Sequence, residues 1–411
     1  MDAHARIIRS DAVVVGAGAA GLAAARTLAQ CGIRALVVES RHRIGGRAYT
    51  VRTPDGAFPI ELGAEFVHGD SAATTALLRE SDTRTIEVDS VPGVWEVTQA
   101  VLDRVDVDGS DSSVDGFLKS VDMEGVDQAR MLIEGFDAAL TADASVIAIA
   151  REWRSDANNA QSRPLEGYGK LVKHLAAGTS DKLLLDTRVE RIAWSPGRVE
   201  VCATRYGEPL EIHASRAIIT VPVGVLQEQL QFKPPLPPEK HAALHAIAMG
   251  PVVKVALHFR SAFWNGGFFQ TPPGCGFPTL WSRMPQKAPI LMAWAGGDAV
   301  RRLDEKHPDP IRAALDACEA VFPQVDVRAQ LQAAYVHDWQ GDPYARGAYS
   351  YLRVNGGDAR EVLRAPVAGT LYFAGEATSS NYAGTVSGAI ETGEQAALAV
   401  AESLTNHIRI S

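Results

Sequence analysis

The sequence predicts an α/β fold: a doubly covered parallel sheet that binds a ligand at one end, joined to a second, α+β unit with a mixed sheet backed by helices. Two stretches carry the first part. Residues 11–40, DAVVVGAGAAGLAAARTLAQCGIRALVVES, read as buried strand, glycine turn, Ala- and Leu-rich helix and second buried strand. Residues 371–404, LYFAGEATSSNYAGTVSGAIETGEQAALAVAESL, read as strand, Gly-Glu turn and long helix. A third observation carries the second unit: residues 250–360 alternate strand patterns with one helix, 309–322.

The N-terminal elements follow in order. Ala12–Val15 is a short apolar run of the kind buried on both faces. Gly16, Gly18 and Gly21 complete G-x-G-x-x-G. The first glycine permits the tight turn, the second lets the backbone approach a pyrophosphate, and the third lets helix pack on strand. The helix that follows offers its N-terminal N–H groups to phosphate and stops at Gly32. Ile33–Val38 is the next strand. Glu39 ends it, 23 residues after Gly16, where a carboxylate accepts hydrogen bonds from a ribose diol and disfavours a 2′-phosphate. This is a Rossmann-like dinucleotide site. Gly45-Gly46-Arg47 just after the acid allows close approach to a second phosphate or to a flavin, with Arg47 as counter-charge. Leu62-Gly63-Ala64 ends a later strand in small residues suited to lie flat on a ring system. Together these point to FAD.

Composition bounds the rest. A chain of 411 residues suggests two or three domains. With 46% hydrophobic and 22% charged residues it has an ordinary globular balance. The net charge of −9 argues against non-specific nucleic-acid binding. The four cysteines form no CxxC pair and no zinc spacing, so they read as reduced thiols of a cytoplasmic protein, and no metal is expected. No apolar run is long enough for a membrane span.

Residues 70–165 lack strand alternation and read as mainly helical with loops. The Asp-rich stretch 102–120 has Arg104 at the first ligand position of its best calcium-loop register and Asp115 at the last, so it reads as a solvated acidic loop. Residues 181–226 are strand-rich, with turns at Pro196-Gly197 and Gly207. A helix starts near Pro238. In the following strand, MGPVVKVALHF, one face is Val253, Val255, Leu257 and Phe259, which must be packed. The other carries Val252, Lys254, Ala256 and His258. That second face could meet water, making Lys254 an ordinary surface residue, or a cavity, where a lysine needs a partner or a task.

Taken together, GAGAAG, the terminal Glu39, GGR, ELGAEFVHG, VHDWQGDPYARGAYSY and the closing Gly-Glu–helix resemble the flavin-containing amine oxidase family of monoamine oxidases, polyamine oxidases and flavin histone demethylases. ELGAEFVHG is most similar to the polyamine oxidase version. The resemblance implies a discontinuous FAD domain (1–75, 180–250 and 362–405) and a substrate domain (76–179 and 251–361). It implies cofactor contacts at Gly16, Gly18, Gly21, Glu39, Arg41, Gly46, Arg47, Gly63, Ala64, Glu65, Val189, Trp339, Gly375, Glu376, Thr385 and Val386. Val189 would hold the adenine and Glu376 the ribityl chain. The catalytic candidates are Lys254, bridged by water to flavin N5, the aromatic pair Trp339 and Tyr349, and His68 at the substrate cavity. Tyr382 is a further aromatic candidate.

The departures also carry implications. Monoamine oxidases attach flavin through a cysteine where this chain has Ala348, so FAD is expected to be non-covalent. Thr385 stands where they have a second cage tyrosine, which favours polyamine-like or other amines over the monoamine oxidase type. The short chain without an added tower segment makes histone demethylation unexpected. The implied partners are a small-molecule amine and molecular oxygen, with peroxide as product. Two alternatives remain at this level. An amino-acid oxidase would need an arginine for the carboxylate, with Arg52, Arg79, Arg151 and Arg163 available. The other is a non-oxidase flavoprotein: a desaturase-like enzyme would not need a lysine at 254, and a purely flavin-binding protein would not have its flavin reduced by any amine.

Overall fold

The structure, a computed structural model, describes residues 6–88, 93–155, 161–179 and 182–408. The runs Ala12–Val15, Ala35–Val38 and Arg216–Ile219 are buried along their whole length. They form a five-stranded parallel sheet in the order 371–373, 216–219, 12–15, 35–38, 183–184. Alternation divides the two buried faces. Ala12, Val14 and Val37 pack with Leu22, Ala24 and Leu28 of helix Ala19–Gln30. Val13, Val15 and Val38 pack with Ile192, Val201 and Ile212 of a second sheet. That sheet is built on the antiparallel strands Thr187–Ser195, Arg198–Arg205 and Glu208–Ala214. Its turns fall at Gly197 and Gly207, both at positive φ as the sequence pattern predicts.

Small residues set the helix layer. Helix Ala19–Gln30 lies against the closing helix Val386–Ile408 at near backbone contact: a Cβ on Gly393 would sit 2.2 Å from the Ala20 carbonyl oxygen. Gly21 is equally constrained, its missing Cβ lying 1.9 Å from the Gly16 carbonyl oxygen. Gly18, by contrast, faces open space, with nothing within 4 Å of a built Cβ. The alanine- and glycine-rich helix thus pulls the turn against the sheet while leaving the middle glycine bare.

The second unit holds a five-stranded antiparallel sheet, ordered 268–270, 279–282, 290–296, 252–259, 331–336. Val255, Leu257 and Phe259 pack on Leu303, Ala314 and Ala317 of the backing helices. Ala256 faces the other way, with Ile60, Leu62 and Trp281. Neither face of this strand meets bulk water. The helices Val94–Leu102, Val114–Ser120, Val126–Phe136 and Val146–Arg154 form a further apolar cluster through Leu102, Ile133 and Ile149.

Three local expectations change. The stretch 102–120 is not loop throughout, since Ser113 caps helix Val114–Ser120 and Val105, Val114 and Leu118 are buried. Its hydrophobic residues are few but spaced to meet one core. Residues 250–360 contain more than the one expected helix. Asp298–Lys306 forms where Gly297 at positive φ ends a strand, and it buries Ala299, Val300 and Leu303. The nominally helical stretch 70–165 also contributes short strands, Thr85–Glu87 and Gln161–Pro164, which pair with each other and with Val67–His68.

Two substitutions separate the roles of the glycines. Gly21→Ala forces its Cβ into a backbone carbonyl and should cost about 1–3 kcal/mol. Gly18→Ala should leave stability within about 0.5 kcal/mol. Denaturant midpoints of the two variants check this, and equal losses would refute it.

Candidate functional site

A cavity of about 410 Å³ opens where the parallel sheet ends and reaches the antiparallel sheet. Strand ends create it: the glycine turn after Val15, Glu39 after Val38, Thr220 after Ile219 and Gly375 after Phe373 all line it. This is the crevice at the carboxyl ends of strands where open α/β sheets bind ligands. At its mouth on this side the Glu39 carboxylate accepts the N–H groups of Ala17 (2.8 Å) and Arg41 (2.9 Å). Arg41 is tied to Asp342 at 2.8 Å, and Asp342 in turn to His337. Gly46, at φ +57, brings its backbone against Gly18.

The next group is an ion pair. Arg47 donates to the Ala348 carbonyl (2.6 Å) and to Glu376 Oε1 (2.7 Å). Ser350 donates to the other Glu376 oxygen at 2.6 Å. Burial pushes the Glu376 carboxyl up, but Arg47, the Ser350 hydroxyl and Arg360 outweigh it and hold it below its ordinary value. Gly375 leaves open space over the turn. The closing helix begins at Val386 with Thr385 as cap, the Thr385 hydroxyl accepting the Gly388 N–H at 3.0 Å. Both residues line the cavity.

The opposite wall carries Lys254. It is 1% exposed, on the strand Val252–Phe259. Its Nζ donates to Glu65 Oε2 (2.8 Å) and to the Gly63 carbonyl (3.0 Å). The Trp281 indole N–H also reaches Glu65 Oε2, at 3.2 Å, and Arg163 pairs with Oε1 at 2.9 Å. Burial alone would raise the Glu65 carboxyl; Lys254, Arg163 and Arg283 overcome it and bring it down to about 2. The surface reading of Lys254 therefore fails, because the strand is covered on both faces. Glu61, four residues before Glu65, differs. It is as deeply buried but is met mainly by the Thr50 hydroxyl and the Tyr168 N–H, and burial lifts its carboxyl to about 7.

Aromatic residues complete the chamber. Trp339 donates to the Leu62 carbonyl at 2.8 Å and packs on Gly63. Tyr349 donates to the Phe136 carbonyl at 2.6 Å; burial and the neighbouring Asp137 and Glu376 hold its phenol neutral. His68 lies edge-on to Phe136, with ring centroids 5.5 Å apart, and burial lowers it to about 4. Its Nδ1 is buried with no partner among the described residues. Tyr382 also lines the space.

The cavity thus brings together every residue of the implied cofactor and catalytic set except Gly21, which sits beneath the turn, and none of the candidate arginines Arg52, Arg79, Arg151 and Arg163 lines it. Glu65 turns its carboxylate to Lys254 and Arg163. Sequence reasoning missed Trp95, Phe136, Asp137 and Glu152, which line the cavity from the helical segment. No motif marks them; the one signal is an acid directly after an apolar helix, in EGFDAAL.

This arrangement defines a dinucleotide-binding flavoprotein whose cavity runs on into an aromatic-lined chamber. The description "Flavin containing amine oxidoreductase" matches residues 100–401, and an NAD(P)-binding Rossmann-like domain matches residues 14–81. The chain belongs to the flavin-containing amine oxidoreductase family, and by family it is an FAD-dependent amine oxidase. It is 28% identical to polyamine oxidase 4 of Oryza sativa subsp. japonica, covering 94% of this chain and 87% of that protein. It is 26% identical to human lysine-specific histone demethylase 2, covering 95% of this chain but 53% of the relative's length. Among solved structures, putrescine oxidase bound to putrescine superposes with a TM-score of 0.81 at 20% identity, over 95% of this chain and 99% of that one. Cyclohexylamine oxidase from Brevibacterium oxydans IH-35A gives 0.80 at 22%, over 96% and 99%. Among the described residues no helix is long and apolar enough to cross a membrane, and no cluster suits a metal ion.

Glu61 yields a pH prediction. Its folded value, about 7, lies above the unfolded one of 4.5, so the folded state binds the extra proton between them. The stability it contributes is complete below pH 4.5 and is lost as pH rises through 7. Glu61→Gln should remove that slope and gain roughly 3 kcal/mol relative to wild type above pH 7. Denaturation at pH 5 and pH 8 decides it; parallel pH profiles for the two proteins would refute it.

Proposed function

We propose that this chain oxidises the carbon–nitrogen bond of an amine, with polyamine-type substrates favoured, non-covalent FAD as cofactor and dioxygen as acceptor. The observation that carries the reading is the continuity of one cavity from the bare Gly18 and Glu39 to the buried Lys254 and the aromatic chamber. The cradle fits FAD: space over Gly18 and Gly375, a helix N-terminus behind the turn, and a carboxylate at the strand end. Gly16–Gly18 would face the pyrophosphate, Glu39 the ribose, Val189 the adenine, Arg47 and Glu376 the chain and polar edge of the flavin, and Thr385–Val386 the helix end beside it. FAD held by these residues would supply acceptance of a hydride equivalent from the amine α-carbon and return of the electron pair to dioxygen as hydrogen peroxide.

The chain's own groups supply position and electrostatics. Tyr349 and Trp339 present ring faces that hold an amine and attract its charged form. Lys254, pinned by Glu65 and the Gly63 carbonyl, holds a donor at the wall and can order the water that converts imine to aldehyde and amine. The N-terminus of the closing helix favours negative charge near it by roughly 0.3–2 kcal/mol. Ala348 offers no sulfur, and among the described residues no cysteine lines the cavity, which supports non-covalent FAD. The polyamine preference draws on the 28% identical polyamine oxidases. The four free cysteines support a reducing compartment such as the cytoplasm. The amino-acid oxidase alternative loses support. Of its candidate arginines, Arg163 is taken by Glu65, and Arg52, Arg79 and Arg151 do not line the cavity.

Anaerobic mixing of the flavin-loaded protein with spermine, spermidine, putrescine, aromatic amines and amino acids tests this. Bleaching of the flavin band by amines but not amino acids is expected; no bleaching by any amine sinks the reading. Lys254→Met should retain FAD yet slow flavin reduction or reoxidation at least tenfold. Wild-type rates in both half-reactions would remove Lys254 from the mechanism.

A further inference from the structure

The second unit sends one loop back to the cofactor half of the cavity. After strand Leu331–Val336 the chain runs to Trp339, turns, and returns to Gly347, whose N–H donates to the Trp339 carbonyl at 2.8 Å. That bond closes residues 339–347 into a compact loop whose ends are neighbours. Its base is seated in the second unit: the Ala348 N–H donates to the Gly250 carbonyl at 2.9 Å, and the Gly250 N–H to the Tyr349 carbonyl at 2.7 Å. Its tip reaches the first unit. Asp342 Oδ2 accepts a hydrogen bond from Arg41 Nη2 at 2.8 Å, across 301 residues of chain, and His337 Nε2 lies 2.8 Å from the same oxygen. Asp342 Oδ1 accepts the Tyr344 N–H at 2.8 Å, and the Tyr344 ring centroid lies 5.4 Å from the Arg41 guanidinium carbon. Burial pushes the Asp342 carboxyl up, but His337 and Arg41 outweigh it and hold it well below its ordinary value. On the other flank Arg346 pairs with Glu228 of helix Val223–Glu228.

These contacts are placed where a cofactor must pass. Trp339 and Tyr344 of the loop line the same cavity as Gly18, Glu39 and Arg41. The tip is tied at the Glu39 end, since Arg41 donates its own N–H to that carboxylate. What holds the tip is polar. Among the described residues, none of residues 340–344 joins a hydrophobic core, whereas Trp339 and Ala345 on either side are buried. A segment tied by ion pairs and hydrogen bonds, with little apolar burial, opens at low free-energy cost. The Arg41–Asp342 pair, with side chains 11% and 8% exposed, is the part that resists opening. Ala348 offers no sulfur for a covalent link, so the residence of the cofactor depends on what encloses it.

We propose that residues 339–347 are a strap over the bound FAD and that the Asp342–Arg41 pair is its latch, so that the cofactor enters and leaves only when this pair opens. Asp342 is then a positioning residue. It fixes Arg41 beside Glu39 and joins the second unit to the dinucleotide cradle. Arg346–Glu228 is a second, weaker fastening, with side chains 33% and 55% exposed. A latch differs from an ordinary cofactor contact in its kinetics. Losing a contact speeds release alone. Losing a latch lowers the barrier in both directions, so release and uptake both quicken. The inference rests on the reading that FAD fills this cavity.

The test follows FAD itself, not turnover. Release is read as the gain in flavin fluorescence after dilution of the FAD-loaded protein, and uptake as the loss of fluorescence when flavin-free protein is mixed with FAD. Asp342→Asn should release FAD at least tenfold faster than wild type and take it up at least threefold faster. Glu228→Gln changes an exposed pair, leaves the fold at little risk, and should quicken both steps at least twofold. Release from Asp342→Asn at less than three times the wild-type rate overturns the proposal. So does faster release with unchanged or slower uptake, which makes Asp342 a cofactor contact and not a latch. Where Asp342→Asn does not fold, Glu228→Gln decides: quickening of both steps supports the strap, and wild-type rates in both overturn it. A wild-type protein that binds no FAD removes the reading of the cavity together with the strap, whereas unchanged rates in the variants remove the strap alone.

Discussion

The contact between Lys254 and Glu65 is the constraint on which the site depends. It joins the antiparallel sheet to the segment that leaves the first unit, across 189 residues of chain. Each partner is essentially sealed from water; removing Glu65 leaves Lys254 buried without a counter-charge, a loss on the order of 3–5 kcal/mol, whereas removing Lys254 leaves Glu65 still paired with Arg163. Glu65 also gathers Arg163 and the Trp281 indole, so three other stretches of chain converge on one carboxylate. The lysine is therefore fixed in direction as well as position. A flexible side chain that normally carries considerable rotamer freedom becomes a rigid donor in a cavity wall.

Glu61 and Glu65 show how completely neighbours decide protonation. Both are buried on the same segment, and burial raises both. One meets Lys254 directly with Arg163 beside it and falls to about 2; the other meets a hydroxyl and an amide and rises to about 7. Four residues of spacing separate a permanent anion from a group that is half protonated at neutral pH. Burial sets the size of the penalty, and the counter-charge within about 3 Å decides whether it is overcome.

What the sequence revealed follows from the range of the interactions involved. The glycine turn was legible because G-x-G-x-x-G, the apolar runs and Glu39 are local, and local sterics dictate them. The α/β class followed from the same runs. Lys254 was half legible: alternation identified the strand and its packed face, but whether the other face meets water depends on residues 59–65 folding across it. The partner of Glu65 was invisible for the same reason. Asp137 left almost no trace. Its setting is assembled from three helices and two sheets, and a single acid after a helix reads like any surface cap. The helix Val114–Ser120 was obscured by aspartates that dominate composition while two buried aliphatics decide the structure.

Thr385 links the closing helix to the aromatic chamber. In monoamine oxidases, to which the motif pattern is similar, a tyrosine at that place forms part of an aromatic cage. Here the Thr385 hydroxyl is committed to the Gly388 N–H and the Tyr382 carbonyl, so the residue serves as the cap that aims the closing helix. A threonine cannot also present a ring. Aromatic surface in the chamber comes from Tyr349 and Trp339 on one side and from Trp95 and Phe136, backed by the buried Trp153, on the other. Tyr349 and the Trp95–Phe136–Trp153 cluster both lie beside Asp137, whose Oδ2 accepts the Trp153 indole N–H. The residue that opens the closing helix thus serves its direction, and the rings that line the chamber come from elsewhere in the chain.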